Sequence, residues 1–469
     1  MRKKSLFLLF FCSAVLSATG IQLICNTKNE SCHIKSAIYD FEEEPQVNFT
    51  FIMKGSDKVT QIRFENSEIG ELPKVIFERF KNLQVLDLKF CAVKRFRKSS
   101  LENAHNLTEI DLSYNKLKRL EENLFAVCTK LVTLNLFRNT IVEVNEKAFA
   151  GLSNLERLVL SSNEIRRLRQ NVFQDLTSLT ELDLKKNRIE DIGTALQTLK
   201  QLEILDLSFN KIKNVSKSSF SGLKSLEILD LSNNRIEFVD FDVFQANPVL
   251  EAVNFANNKL KELTLKVFSA SFRILDISQN ALTHVNVTSG VVSVPHRTKT
   301  SINVDDNWLE MISVDDDLPL RKLSMARNNV SSLEFLGNCC ANLTSIDISH
   351  NPLESRAKND KKLRSKGVLT LVARNISAHD ATAVDVIFDL LEETPLLQSL
   401  DVSQNNLAAV DWTLLPKLND LTTLKVENCS IAHSDDLIST FPNLTMLHFG
   451  GNLINCDHLS SNGKVECHN

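Results

Sequence analysis

The chain has 469 residues, more than one ordinary compact core accommodates, so several domains or a repeat array are the readings open at the outset. A formal net charge of −4 and a pI near 6.2 remove any bulk electrostatic case for nucleic acid or an anionic membrane as the partner. Gly (12) and Tyr (2) are scarce while Phe (27) is abundant, which points to one structural position that uses Phe repeatedly.

The first stretch, MRKKSLFLLFFCSAVLSATG, joins a positive Arg2-Lys3-Lys4 segment to an apolar run. Ala18 and Gly20 stand at −3 and −1 of a cut before Ile21, so residues 1–20 read as a secretory signal peptide, too short for a membrane span. No other run approaches a spanning length, and the C-terminal LSSNGKVECHN carries no hydrophobic tail for a lipid anchor; the expectation is a protein freely secreted to the extracellular space. N-x-S/T sequons at Asn29, Asn48, Asn106, Asn214, Asn286, Asn329, Asn342, Asn375 and Asn443 are the N-glycosylation candidates on that route. A further sequon at Asn428 lies beside an expected core position and is set aside.

Residues 21–55 contain Cys25, Cys32 and the alternating VNFTFIM, an edge-strand pattern, and are assigned to an N-terminal cap. Beyond them a repeat begins. The pattern Leu107-x-x-Ile110-x-Leu112-x-x-Asn115 recurs with its last position at Asn139, Asn163, Asn187, Asn210, Asn234 and Asn258, in steps of 24, 24, 24, 23, 24 and 24 residues. Weaker copies end at Ser67 and Cys91 before it, and at Asn280, Asn307, Asn328, Asn351, Arg374, Asn405, Cys429 and Asn452 after it, giving about seventeen repeats. The Leu-x-Leu alternation predicts a short strand with its leucines inward, and stacking such strands roughly 4.8 Å apart predicts a parallel sheet. The Asn amide is expected to bond backbone groups of neighbouring turns that the tight bend would otherwise bury unpaired. Ten residues beyond that position stand Phe77, Phe125, Phe149, Phe173, Phe220, Phe244 and Phe268, expected to stack as an aromatic spine on the side away from the sheet. No single repeat buries its own apolar face, so only the stack is stable.

This pattern resembles the extracellular leucine-rich repeat family in its common 24-residue form, over residues 56–455. The resemblance implies an α/β solenoid: a curved leucine-rich repeat array with a concave parallel β-sheet, disulfide-closed caps, and protein ligands on the concave face. The regular block with the Phe spine spans 56–280. An irregular block follows over 281–450, with spacings of 27 residues from Asn280 to Asn307 and 31 from Arg374 to Asn405. Within it, VNVTSGVVSVPHRTKTS reads as a bulged loop, AKNDKKLRSKG as a basic loop, and DATAVDVIFDLLEETP as an amphipathic helix on the convex side. Residues 451–469 form a minimal C-terminal cap, since NLINCDHL resembles the start of the family's cap but has His458 where a further cysteine usually stands. The resemblance implies one disulfide in each cap, Cys25 with Cys32 and Cys456 with Cys467.

Ten cysteines less Cys12 of the leader leave nine, an odd number that needs explaining in a secreted chain. Cys91 and Cys429 occupy the Asn position and are expected to be buried, inert thiols. Comparing Phe125-x-x-Cys128-x-x-Leu131 with Phe149-x-x-Leu152-x-x-Leu155 puts Cys128 in place of a core leucine, and the same offset from Leu343 buries Cys340. Cys339 is left over. Two readings stand for it: an intermolecular disulfide that makes a homo- or heterodimer, or a free or blocked surface thiol. A Cys339–Cys340 vicinal disulfide would be a strained ring, and zinc has no second ligand pair nearby.

Nothing in the chain points to catalysis: H-E-x-x-H, G-x-S-x-G, phosphate-loop and Ca²⁺-loop patterns are all missing, and no cofactor or metal is implied. The recurrent Asp of LDLS (Asp111, Asp183, Asp206, Asp230) belongs to the repeat. The expected function is therefore non-enzymatic protein binding. Aligning the repeats puts Phe90, Tyr114 and Phe137 on three successive strands, just before the Asn position, with Arg138, Arg157, Lys185 and Lys186 facing out beside them. Aromatic anchors ringed by cations suit a protein partner with an acidic rim, while the same rings could instead simply lean on neighbouring repeats. Among secreted solenoids the chain is similar to the dipteran leucine-rich immune proteins, in a form without their C-terminal coiled coil. That resemblance implies recognition or scaffolding in extracellular innate immunity. A matrix or cell-adhesion component and a secreted protease inhibitor are the alternatives.

Overall fold

A computed structural model describes residues 14–17, 20–28, 30–39, 49–54, 58–240, 242–267, 269–289, 299–315, 320–333, 342–354, 367–376, 383–392, 394–408, 410–432, 440–453 and 466–468. The chain divides into two compact units, Met1–Arg235 and Ile236–Asn469.

In the first unit the Leu-x-Leu segments form short strands: Gln61–Glu65, Val85–Asp87, Glu109–Asp111, Thr133–Asn135, Arg157–Val159, Glu181–Asp183, Ile204–Asp206 and Ile228–Asp230. Each pairs in parallel with the next, and each residue faces its counterpart one repeat on. The central residue of each three-residue strand, such as Leu134, Leu158 or Leu182, is buried, and Gln61–Glu65 buries Ile62 and Phe64. The side away from the sheet is filled by Phe77, Phe125, Phe149, Phe173 and Phe220, all essentially buried. Phe125 and Phe149 stack with centroids 6.4 Å apart, and Phe149 and Phe173 with centroids 6.0 Å apart. Cys128 is buried among them, as a leucine substitute should be.

What joins one repeat to the next is the asparagine. Asn163 accepts from Ile141 N at 3.0 Å, and its Nδ2 donates to Leu136 O at 3.0 Å and to Leu160 O at 2.9 Å. Asn115, Asn139, Asn187 and Asn210 repeat this three-way bridge. For the amide to point inward, the strand's alternation must be broken one residue earlier. Tyr114, Arg138, Ser162, Lys186, Phe209 and Asn233 accordingly take left-handed backbone, with φ between 51° and 57°.

The N-terminal end is closed by a small sheet. Ser31–Lys35 pairs antiparallel with Gly20–Lys28 and in parallel with Gln61–Glu65, so it hands its free edge to the first repeat. Cys25 and Cys32 form the expected disulfide across this hairpin and are fully buried. Ala14–Ser17, inside the expected leader, pairs antiparallel with the start of Gly20–Lys28, while Phe49–Lys54 holds the latter's parallel edge.

In the second unit the same parallel ladder runs through Ala252–Asn254, Ile274–Asp276, Thr300–Asn303, Leu320–Ser324, Ser345–Asp347, Thr370–Val372, Ser399–Asp401, Thr423–Lys425, Met446–His448 and Glu466–His468. Two expectations change here. His284–Ser289, expected inside a bulged loop, is a strand; with Glu262–Val267 and Ser313–Val314 it makes a second parallel sheet. The repeat expected to end at Arg374 ends at Ile376: Leu371 pairs with Ile346, whose repeat closes five residues later at Asn351, and Asn375 is the left-handed residue. Ile376 is fully buried and brings no amide, so Leu353 N–H donates to Asn351 O at 2.9 Å instead. The sequon at Asn428 does lie beside a core residue, the buried Cys429, and is itself exposed and left-handed. The amphipathic run does form a helix, Ala383–Glu392, which buries Val386, Ile387, Leu390 and Leu391 on one face. Phe268, Asn29, Asn48, Cys339, Cys340, Cys456 and most of the basic loop fall outside the described residues, as does the side chain of Cys467.

Replacing Asn163 by Leu strands the buried Ile141 N–H, at roughly 1–3 kcal/mol, and leaves Leu136 O and Leu160 O with one amide donor each, from Asn139 and Asn187, instead of two. The expected outcome is a clearly lowered urea midpoint. A midpoint equal to wild type would show that water substitutes for the amide.

Candidate functional site

Because the residue before each Asn is left-handed, its side chain is thrown outward, and its N–H is tied to the next repeat. Phe90 N donates to Ser113 O at 3.2 Å, Tyr114 N to Phe137 O at 2.8 Å and Arg138 N to Ser161 O at 3.0 Å. The three predicted aromatics therefore do meet. Phe90 stacks on Tyr114 with centroids 4.1 Å apart, and Tyr114 meets Phe137 edge-on at 5.2 Å. Phe90 is 60% exposed, whereas Tyr114 and Phe137 are half-buried. Arg138 lies over Tyr114 at 5.3 Å and Phe137 at 5.8 Å, and no carboxylate reaches it among the described residues. At the other end Lys89 lies 5.4 Å from the Phe90 centroid and 5.3 Å from Tyr114, a contact the sequence reading missed although Lys89 directly precedes Phe90. Two cations thus flank three rings in contact, both of them beside the central Tyr114.

The other predicted cations divide. Arg157 stands at the start of its strand, in a different column, and pairs with Glu181 at 3.0 Å. Lys185 reaches Asp206 at 3.6 Å. Lys185 and Lys186 both lie 5.5 Å from the ring of Phe209, which is 44% exposed and was also missed. Phe209 occupies the same left-handed position as Phe90 and Tyr114, so its repeat alignment was the available signal. Ile204 and Ile228, paired across adjacent strands, are exposed on the same face.

The recurrent Asp has a local task. Asp111 accepts from Ser113 N at 2.7 Å, Asp183 from Lys185 N at 3.0 Å, and Asp206 and Asp230 from Ser208 N and Ser232 N at 2.8 Å each. Each closes the turn that ends its strand. Asp183 is pushed above the usual carboxylate range, mainly by burial, against the opposing bond from Ser161 Oγ. Among the described residues no group of three or more His, Cys, Asp or Glu side chains is arranged to hold a metal ion, and no helix is long and apolar enough to cross a membrane.

A leucine-rich repeat family model matches residues 81–141, 129–189, 200–260 and 225–282. The chain is built of leucine-rich repeats. No curated protein matches it in sequence. Among solved structures, a leucine-rich repeat protein of Leptospira interrogans aligns over 88% of this chain and 96% of its own, at 21% identity and TM-score 0.58. The leucine-rich repeat domain of APL1 aligns over 70% of this chain and 89% of its own, at 20% identity and TM-score 0.53. These likenesses carry the fold, one whose members typically bind proteins without catalysing a reaction. The array places the aromatic and cationic side chains on the solvent side of its sheet.

At the Asn position two cysteines imitate the amide. Cys91 Sγ donates to Lys89 O at 3.4 Å, and Cys429 Sγ to Val402 O and Glu427 O at 3.4 Å each. Only the protonated thiol can donate. Burial pushes Cys91 up to about 12, with Asp87 adding to it, Cys128 up to about 12 and Cys429 up to about 11. At pH 8 a thiol of pKa near 12 is ionised on the order of one part in ten thousand. Iodoacetamide should therefore leave these three unlabelled in the native protein and label all three in urea. The folded pKa values lie above the unfolded one, so the unfolded state loses its protons first, and stability should fall as pH rises from about 9 towards 12.

A second measurement separates the two roles of the ladder. Left-handed backbone costs a bulky residue about 1–2 kcal/mol relative to Asn, while one exposed ring stack returns about 0.5–1.5 kcal/mol. Phe90→Asn is expected to leave the thermal midpoint unchanged or raise it slightly. A fall of several degrees would make the ring a packing element rather than a contact surface.

Proposed function

We propose that this chain is a secreted, non-enzymatic scaffold that binds a protein partner on the ladder Lys89, Phe90, Tyr114, Phe137 and Arg138. The observation that carries this is the cluster of rings itself: Phe90 and Tyr114 occupy backbone positions that favour Asn or Gly, and each ring pair has a cation beside it, Lys89 at Phe90 and Tyr114 and Arg138 at Tyr114 and Phe137. An interface centre of this kind supplies aromatic anchors, and its cations favour carboxylates at the partner's rim. Phe209 with Lys185 and Lys186 repeats the motif further along the same unit and extends the surface.

Secretion is supported by the leader-like N-terminus, the sequons and the Cys25–Cys32 disulfide, which belongs to an oxidising compartment. A role in extracellular innate immunity draws on the shared architecture with the APL1 domain and on the resemblance to the dipteran immune proteins. In that role Cys339 joins a second chain through a disulfide.

The test is recovery of partners from native extracellular fluid on the immobilised protein. Phe90, Tyr114 and Phe137 changed together to Ser should reduce recovery at least 10-fold with the fold intact by circular dichroism, since losing one interface anchor costs about 2 kcal/mol or more. Reversing Lys89 and Arg138 to Glu should weaken capture and flatten its dependence on salt. Undiminished recovery by both variants moves the site away from the ladder. Non-reducing gels of the same material should show a dimer band that Cys339→Ser abolishes; its persistence removes Cys339 from the link.

A further inference from the structure

The residue that follows each Asn position forms a column on the turn beyond the sheet. Most members are polar, among them Lys116, Glu164, Arg188 and Asn329, while Ala92, Ala281, Pro352 and Leu453 are not. Trp308 also occupies the column: it is 67% exposed, and Met311 of the same repeat is 58% exposed. A large indole face left in water, beside a second exposed apolar side chain, calls for something to cover it.

The neighbouring repeat supplies a candidate. Trp308 N donates to Leu282 O and Asn329 N to Leu309 O, each at 2.9 Å, so the two residues occupy the same turn in consecutive repeats, about one strand spacing apart. Side chains at this position do reach across that gap: Arg188 pairs with Glu164 at 3.1 Å from the equivalent places in the first unit. Asn329-Val330-Ser331 is a sequon, with Asn329 and Ser331 exposed and Val330 buried. Among the described residues the Asn329 amide makes no side-chain hydrogen bond. By contrast, the Nδ2 of Asn106 donates to Lys81 O, that of Asn443 donates to Asn419 O, and that of Asn375 lies 3.2 Å from His350 Nδ1.

We propose that Asn329 carries an N-linked glycan whose first sugar lies over the face of Trp308. Attachment forms a bond between Nδ2 and the sugar C1 of a lipid-pyrophosphate-linked oligosaccharide; the C1–pyrophosphate bond breaks, and the amide gives up one proton. The pyranose then sets its C–H-bearing face against the indole, one aromatic ring wide, while its hydroxyls stay in water. The inference rests on the secretory reading but not on the binding ladder.

The experiment uses the full chain secreted from a eukaryotic host. Peptide mapping should find Asn329 occupied. The chain has two tryptophans, and Trp412 is buried, so the difference between wild type and Trp308→Phe isolates the exposed indole's fluorescence. Acrylamide quenching of that signal should rise at least 2-fold in Asn329→Gln. Trimming by an endoglycosidase that leaves a single N-acetylglucosamine should preserve the protection, whereas complete removal should abolish it. Occupied Asn329 with quenching indifferent to the sugar overturns the proposal, as does an unmodified Asn329 in a chain glycosylated at Asn214 or Asn342. A chain with no glycan at any sequon defeats the secretory reading, and this inference with it.

Discussion

One amide organises the array. Each Asn at the end of a strand reaches both its own turn and the preceding repeat, so it fixes the step between repeats as well as the bend within one. Its inward direction forces the residue before it into left-handed backbone, and that in turn dictates which side chains face solvent in a column. The ladder of Phe90 and Tyr114, the cation Arg138, and the pair Lys186 and Phe209 all occupy that one forced position. The candidate site is thus a by-product of the scaffold's strictest hydrogen-bond requirement.

The exceptions at the Asn position show what the requirement consists of. Cys91 and Cys429 keep a donor aimed at the carbonyls that the Asn amide would satisfy, and burial keeps that donor protonated. Ile376 offers no donor at all. There the backbone closes on itself through Leu353 N–H and Asn351 O, while Asn405 in the next repeat still accepts from Ile376 N at 2.9 Å and donates to Ala373 O at 2.8 Å. A single apolar rung is tolerated because the rungs on either side remain complete.

Legibility in the sequence followed the same division. Inward columns repeat their residue type, so the strands, the Phe stack and the buried role of Cys128 could be read from spacing alone, as could the amphipathic helix at Ala383–Glu392. Spacing failed at Arg374 because Ile376 removed the marker that defines the register, and it failed at His284–Ser289 because a second sheet needs pairing partners that lie a repeat away in the chain. Phe90, Tyr114 and Phe137 were found because a ring in a polar column is conspicuous. The pairing of Arg157 and Lys185 could not be read because their partners, Glu181 and Asp206, sit on the next strand and become neighbours only through parallel register. Lys89 and Phe209 were missed through incomplete alignment, not through any physical obscurity.

Columns therefore carry two kinds of information. In an inward column the physically best residue recurs, and departures such as cysteine for asparagine are explained by how nearly they perform the same task. In an outward column the scaffold is indifferent to the side chain beyond backbone preference, so a residue that opposes that preference gains nothing from the fold. Asn66, Asn233, Asn257 and Asn428 suit left-handed backbone; Phe90, Tyr114 and Phe209 do not, yet they cluster with cations in one unit instead of scattering along the array. Trp308 departs from its column in the same sense, against water instead of against backbone. Strain and exposure of this kind persist only where something outside the fold compensates for them, which is why the deviations, and not the repeat, locate function on a solenoid.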